Sequence, residues 1–166
     1  MIKLKETTAF GQVQLPVTLA GCSLRVLPPA RITGIAPFPG HETELRALLG
    51  AFPAPGEVLI HDPWRLVWAA RDLAFAFGES LPDGVAEHAA LTDQSDGWCG
   101  LELQGKGAET LLGRRLPVDI RKLPPCASVR SLMDHIPVLI LRMEVDTFEI
   151  WSWRSMAASL VQKFRT

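Results

Sequence analysis

Two stretches of this 166-residue chain run through the same order of elements, and that repetition restricts the fold more than any other feature. In the first, a strand-like run over 31–36 leads to Phe38-Pro39-Gly40 and then to a helical pattern with Leu45, Leu48 and Leu49 on one face. Glu42 and Glu44 stand at the positively polarised start of that helix, and Gly50 stands where it should stop. A loop with Pro53, Pro55 and Gly56 leads into three short strands at 58–61, 65–69 and 73–77. In the second stretch, a strand at 98–103 runs into Gly105-Lys106-Gly107. A short helix with Ala108, Leu111 and Leu112 follows, ending at Gly113. After a Pro124-Pro125 loop come strands at 128–133, 135–143 and 147–151. Aligned on their helices, Phe38-Pro39-Gly40 and Leu48-Leu49-Gly50 answer Leu103-Gln104-Gly105 and Leu111-Leu112-Gly113.

Two β-α-β-β pseudo-repeats of this kind build mainly antiparallel sheet with helices packed on it, so the expected class is α+β. The length supports one core and is short for two ordinary domains. Residues 1–20 carry weak periodicity and read as an N-terminal arm able to fold onto a partner; 21–166 form the single domain. A strand over 23–27 ends at the Pro28-Pro29 break, and a last helix over 155–163, with Met156, Leu160 and Phe164 at helical spacing, caps the sheet.

Seventeen basic and eighteen acidic side chains leave a net charge of −1, too weak a field to gather nucleic acid or an anionic membrane surface. The longest apolar run, 136–141, is far short of a bilayer span. Leu19-Ala20-Gly21-Cys22 looks like a lipoprotein cleavage box. The segment that should be its apolar region holds Glu6, Thr7, Thr8, Gln12, Gln14 and Pro16, against such a reading. Cys22, Cys99 and Cys126 are odd in number and lack close pairing, as fits reduced structural thiols in a cytoplasmic protein. With 48% apolar residues, five Trp, seven Phe and no Tyr, the chain either fills a private core well or hides part of its surface against another subunit.

No pattern assembles chemistry. Gly105-Lys106-Gly107 opens a helix, whose N–H groups can hold an anion, but it lacks the remainder of any nucleotide fingerprint and reads as a tight turn. His41, His61, His88 and His135 are scattered, with no cysteine at ligand spacing. Ser95 is not in a Gly-x-Ser-x-Gly elbow. Trp151 and Trp153 alternate around Ser152 and in a strand would share a face, either as core or as an aromatic anchor in a subunit interface. Trp64 is a further interface candidate. Arg114 and Arg115 either complement the helix end beside them or pair with a partner's carboxylates.

Ala90-Leu91-Thr92-Asp93-Gln94-Ser95-Asp96-Gly97-Trp98, then Leu101-Glu102-Leu103-Gln104-Gly105-Lys106-Gly107-Ala108 and Leu116-Pro117-Val118-Asp119-Ile120, resemble the folate-binding aminomethyltransferase superfamily. There a strand ending in Asp and Ser precedes an apolar strand, a Gly-x-x-Ala turn, a helix and an Asp. The Pro-Val-Asp form, the Pro124-Pro125 loop and the ending Phe148-Glu149-Ile150-Trp151-Ser152-Trp153-Arg154-Ser155-Met156-Ala157-Ala158-Ser159-Leu160 are similar to the gamma subunit of heterotetrameric sarcosine oxidase. The resemblance covers roughly residues 30 to 164 and is closest from 90 onward.

It implies an aminomethyltransferase-like fold and a non-catalytic structural subunit that binds no cofactor itself. Its partners would be alpha, beta and delta subunits holding FAD, FMN, NAD and tetrahydrofolate. That complex oxidises sarcosine to glycine, makes hydrogen peroxide and passes the methyl carbon to folate. The resemblance places Asp119 where the aminomethyltransferases keep the carboxylate that handles the folate nitrogen proton. Such a base acts only when the amine is held within hydrogen-bond reach, and the second and third domains that complete the folate pocket are not in this sequence. Locally, capping or turn formation is the ordinary task of an Asp there. The alternative reading is a free-standing folate-binding aminomethyltransferase-like protein that completes its pocket as a homodimer.

Overall fold

Short apolar runs cut by Gly and Pro become eleven strands in the computed structural model, which describes residues 8–11 and 13–165. In chain order the elements are β1 (Val17–Leu19), β2 (Cys22–Val26), β3 (Ile32–Pro37), α1 (Glu42–Leu49), β4 (Val58–His61), β5 (Trp64–Ala70), β6 (Leu73–Phe77), α2 (Val85–His88) and β7 (Ala89–Asp93). They continue as β8 (Trp98–Gln104), α3 (Ala108–Gly113), β9 (Ala127–Met133), β10 (Ile136–Glu144), β11 (Thr147–Trp153) and α4 (Ala157–Arg165). One sheet has the order β1-β2-β8-β11-β10-β9, the other β4-β5-β6-β3-β7, and every pairing is antiparallel.

The repetition in the sequence is a repetition in space: β9-β10-β11-β8 in one sheet matches β4-β5-β6-β3 in the other. Each repeat also owns a leading strand, and the two are exchanged. β2, just ahead of the first repeat, pairs with β8 of the second, while β7, just ahead of the second, pairs with β3 of the first. The repeat is therefore longer than β-α-β-β, with a third strand after the helix and a leading strand lent across.

The sheets face one another over a shared apolar layer. Ile32, Val67, Phe75 and Phe77 from one meet Trp98, Leu139, Leu141 and Trp151 from the other. On the outer face of the five-stranded sheet, Ile35, Leu66 and Ala76 pack against Leu45 and Leu49 of α1 and Val85 of α2. On the outer face of the six-stranded sheet, Leu101, Leu103, Ile140, Phe148 and Ile150 pack against Leu112 of α3 and Leu160, Val161 and Phe164 of α4. Central strands are thus covered on both faces, which is why 136–141 reads as a continuous apolar run rather than an alternating one. Burial of such side chains contributes about 1.5–3 kcal/mol each and is the main force holding the layers.

Two glycines are demanded by these contacts. Gly100 lies opposite Trp151, and a Cβ there would stand 2.9 Å from the indole ring. Gly105 has φ +140°, and a Cβ would meet the Cys22 Cα and the Gly21 carbonyl oxygen at 2.9 Å. The Gly105-Lys106-Gly107 turn is therefore filled by the β1–β2 hairpin.

Of the arm expected over 1–20, residues 1–7 and 12 lie outside the described residues, and with them Glu6, Thr7 and Gln12. The described part packs on the chain's own domain: Phe10 is buried against the α4 core, Ala9, Val13 and Leu15 cover it, and 17–19 form an edge strand. An apolar alternation too short to read as a strand explains the difference. No helix among the described residues is long and apolar enough to cross a membrane.

The three thiols are free and differ in access, with Cys22 and Cys99 buried and Cys126 exposed. Burial pushes the Cys99 thiol up to about 11, and its S–H points at the Ser152 carbonyl at 3.6 Å. Alkylation of the native chain at mildly alkaline pH should modify Cys126 first, and Cys22 and Cys99 only after unfolding. Intact mass before and after denaturant reads this; rapid native modification of Cys99 would contradict the burial.

Candidate functional site

Asp119 sits in the connection from α3 to β9, just before a one-turn helix at Ile120–Lys122. Its carboxylate is exposed and accepts from Arg121, Nε at 2.8 Å and Nη2 at 3.2 Å. That guanidinium holds its carboxyl below the usual range. Of the two local expectations, capping and turn formation, the side chain makes no cap hydrogen bond, while the backbone closes a turn in which the Asp119 carbonyl accepts from Lys122 N–H. Both carboxylate oxygens are thus engaged by the chain's own Arg121.

The connection itself is tied down by a cation the sequence did not single out. Arg142 on β10 is buried, donates to Glu109 Oε1 on α3 at 2.6 Å and to the Leu123 carbonyl at 2.8 Å, and lies over the Phe148 ring at 5.1 Å. Its neighbour in kind is Arg65 on β5, which crosses the layer between the sheets to Glu149 on β11, with Nη1 to Oε1 at 2.9 Å. Trp151 Nε1 donates to the other oxygen of the same carboxylate at 2.8 Å. Arg65 also stands 5.0 Å from the Phe77 ring. This polar cluster joins the two repeats inside an otherwise apolar layer, and no local motif announces it, because its partners are 84 residues apart in the chain.

The aromatic interface candidates separate. Trp151 is a core side chain rather than an interface anchor: it is 3% exposed, seated over Gly100 in the layer between the sheets. Trp153, two residues on, is 45% exposed, because β11 ends there and the facing sheet no longer covers it. Trp64 is half-buried and stacks on His61 with ring centroids 4.4 Å apart. Arg114 is exposed at the end of α3; Arg115 is half-buried, 4.0 Å from Asp134, a carboxylate that Lys163 also approaches at 3.2 Å. Arg115 is thus turned to the chain's own charges.

The histidines are not as scattered as the sequence suggests. His41 and His88 meet Nδ1 to Nδ1 at 2.9 Å, one ring donating and the other accepting, which links the start of α1 to the end of α2. Among the described residues no three His, Cys, Asp or Glu side chains gather as a metal site requires. Ser95 is a turn residue: its Oγ donates to Asp93 Oδ1 at 2.6 Å and accepts from Ile32 N–H at 3.0 Å. The Ser95 hydroxyl first, and then the Ser95 backbone N–H at 2.9 Å, hold the Asp93 carboxyl below its ordinary range.

Leu91, Leu132, Val145 and Trp153 are exposed, and Leu91 lines an open hollow with Arg31, Thr33 and Asp93. No family model matches the chain, and no curated protein matches it by sequence. Solved structures do match. A chain of the heterotetrameric sarcosine oxidase from Corynebacterium sp. U-96, in complex with pyrrole 2-carboxylate, aligns with a TM-score of 0.77 at 23% identity, covering 89% of this chain and 84% of that one. The glycine cleavage system aminomethyltransferase T from Bartonella henselae aligns with a TM-score of 0.61 at 16% identity, covering 89% of this chain and 46% of that one. This chain spans less than half of that transferase's length. The two-sheet α+β fold is shared with both proteins, as the sequence resemblance implies.

Proposed function

We propose that this chain is the gamma-type structural subunit of a heterotetrameric, flavin-dependent sarcosine oxidase, without an active site of its own. The observation that carries the reading is the alignment over nearly the full length of both chains with one chain of such an oxidase, 89% of this chain and 84% of that one. The engagement of the exposed Asp119 carboxylate by Arg121 supports the same reading. In this proposal FAD, FMN, NAD and tetrahydrofolate sit in the larger alpha and beta subunits, with a delta subunit completing a cytoplasmic complex. Sarcosine is converted there to glycine, with hydrogen peroxide and methylene-tetrahydrofolate as products. Exposed Trp153 and Arg114 are the side chains we assign to subunit contact, Trp and Arg being enriched where interfaces bind tightly.

A tagged chain recovered from its native organism should bring larger chains with it and give an eluate with a flavin absorption spectrum. A lone, colourless chain would overturn the subunit reading. The likeness to aminomethyltransferase T favours, as second reading, a folate-binding homodimer. That reading requires thermal stabilisation by reduced folate that grows with the logarithm of its concentration and is lost in Asp119→Ala.

A further inference from the structure

Among the described residues four strands bound the two sheets, and two of them close on each other. Glu57, at the start of β4, bridges Ala127 of β9, and Ser128 N–H donates to the Gly56 carbonyl at 2.7 Å. Of the remaining edges β1 has three residues, whereas β7 has five, Ala89 to Asp93, of which all but Ala89 are exposed. The register of β7 follows from its flanks. Gln94 N–H donates to the Ile32 carbonyl at 2.8 Å and Phe38 N–H to the His88 carbonyl at 2.9 Å, so even-numbered residues of β7 turn their backbone groups to β3. By alternation, the N–H and C=O of Leu91 and Asp93 point away from the sheet.

Natural edges are blunted by lysine, proline, a bulge or a cover. β7 reads Ala-Ala-Leu-Thr-Asp, its pairing with β3 carries no register shift, and Leu91 is 38% exposed at its centre. A hollow of about 310 Å³, lined by Arg31, Thr33, Leu81, Leu91 and Asp93 among others, opens on the same face.

We propose that β7 is a dimerisation edge, taken by the β7 of a second copy of this chain in antiparallel register about Leu91. The pairing is self-complementary. Leu91 N–H of each copy meets the Leu91 carbonyl of the other, and Asp93 N–H of each meets the Ala89 carbonyl of the other. The Ala89 N–H, at the end of the strand beside α2, is not needed. The only charge on the strand, Asp93, then lies opposite Ala89 rather than another carboxylate, so no like charges face each other. Leu91 meets its own copy across the axis, an isologous contact. The inference goes beyond the proposed complex and does not depend on it. A single five-residue pair is smaller than the about 1,200 Å² of a standard interface, so the dimer is weak and concentration-dependent.

The test is light scattering on the full chain from micromolar to millimolar protein, beside Leu91→Pro. Proline at an outward-facing edge position removes no bond to β3, so the fold should survive. The parent chain should pass from monomer to dimer, with Leu91→Pro shifting the midpoint at least about tenfold upward. Hydrogen exchange of the parent guards against a variant that misfolds. The Leu91 and Asp93 amides should slow at least about tenfold as protein concentration rises, while Ala90 and Thr92 are protected throughout. A parent chain that stays monomeric, or one that dimerises with the Leu91 amide still exchanging freely, overturns the proposal.

Discussion

Glu149→Ala is expected to melt roughly 6–20 °C below the parent chain, the loss that about 3–5 kcal/mol produces in a domain of this size. Glu149 is 8% exposed, and it is the acceptor for both the Arg65 guanidinium and the Trp151 indole N–H. Without it the Arg65 charge stays between the sheets beside Phe77 with no anion, and the indole donor is stranded as well. Keeping an unpaired cation out of water costs more than the hydrogen bonds themselves supply, which gives the variant its large effect. Arg65→Met with Glu149→Leu removes both charges at similar volume and should recover most of the loss, as buried pairs replaced by apolar residues often do. Calorimetry of the parent, the single and the double variants decides the matter. A single variant that melts with the parent would mean that water reaches the pair.

Arg142→Leu should cost about 1–3 kcal/mol by a different mechanism, because it strands the Leu123 and Val145 carbonyls while the Glu109 carboxylate it leaves behind still reaches water. Its guanidinium serves Glu109 and the carbonyls of Leu123 and Val145 at once, which is how the connection between α3 and β9 is held against the β10–β11 hairpin. Arg142→Lys keeps the charge but lacks the planar fork, so it should recover less than half of the loss. Denaturant unfolding gives the magnitude. Hydrogen exchange gives the signature, with residues 116–126 opening faster while β4 to β6 keep their protection. A uniform loss of protection across both sheets would show that Arg142 acts on the whole fold rather than on this connection.

Local chemistry wrote much of the architecture into the chain. α1 occupies 42–49 because Leu45 and Leu49 share a buried face and Gly50 ends it at φ +77°; β4 and β6 fall at 58–61 and 73–77 between strong turn signals. β7 is legible through the family resemblance, which has a strand ending at Asp93, but not through periodicity, because its exposed Ala-Leu-Thr-Asp offers no alternation of burial. Trp151 and Trp153 have the spacing of a shared face, yet what covers one and leaves the other open is where the opposite sheet ends, a fact of packing between distant strands. Arg65 and Glu149, likewise, are two ordinary surface-type residues until the β5 and β11 strands face each other. The surroundings of Asp119 depend on Arg121, two positions away, and the resemblance that singled out Asp119 carried no information about that neighbour.

The lent strands also set an order of events while the chain is being made. When the first repeat has left the ribosome, β2 is complete but its partner β8 is not, and β3 has β6 on one side and nothing on the other until β7 appears. The five-stranded sheet can finish only when β7 exists, at residue 93, and the six-stranded one must wait for residues 98–104 and then for β11 between β8 and β10. The nascent first half therefore carries an open edge and an uncovered apolar face through most of translation, a state in which edge pairing with other chains competes with folding. A chaperone that shields 22–77 until the second repeat emerges would act at the moment when this protein has most need of one.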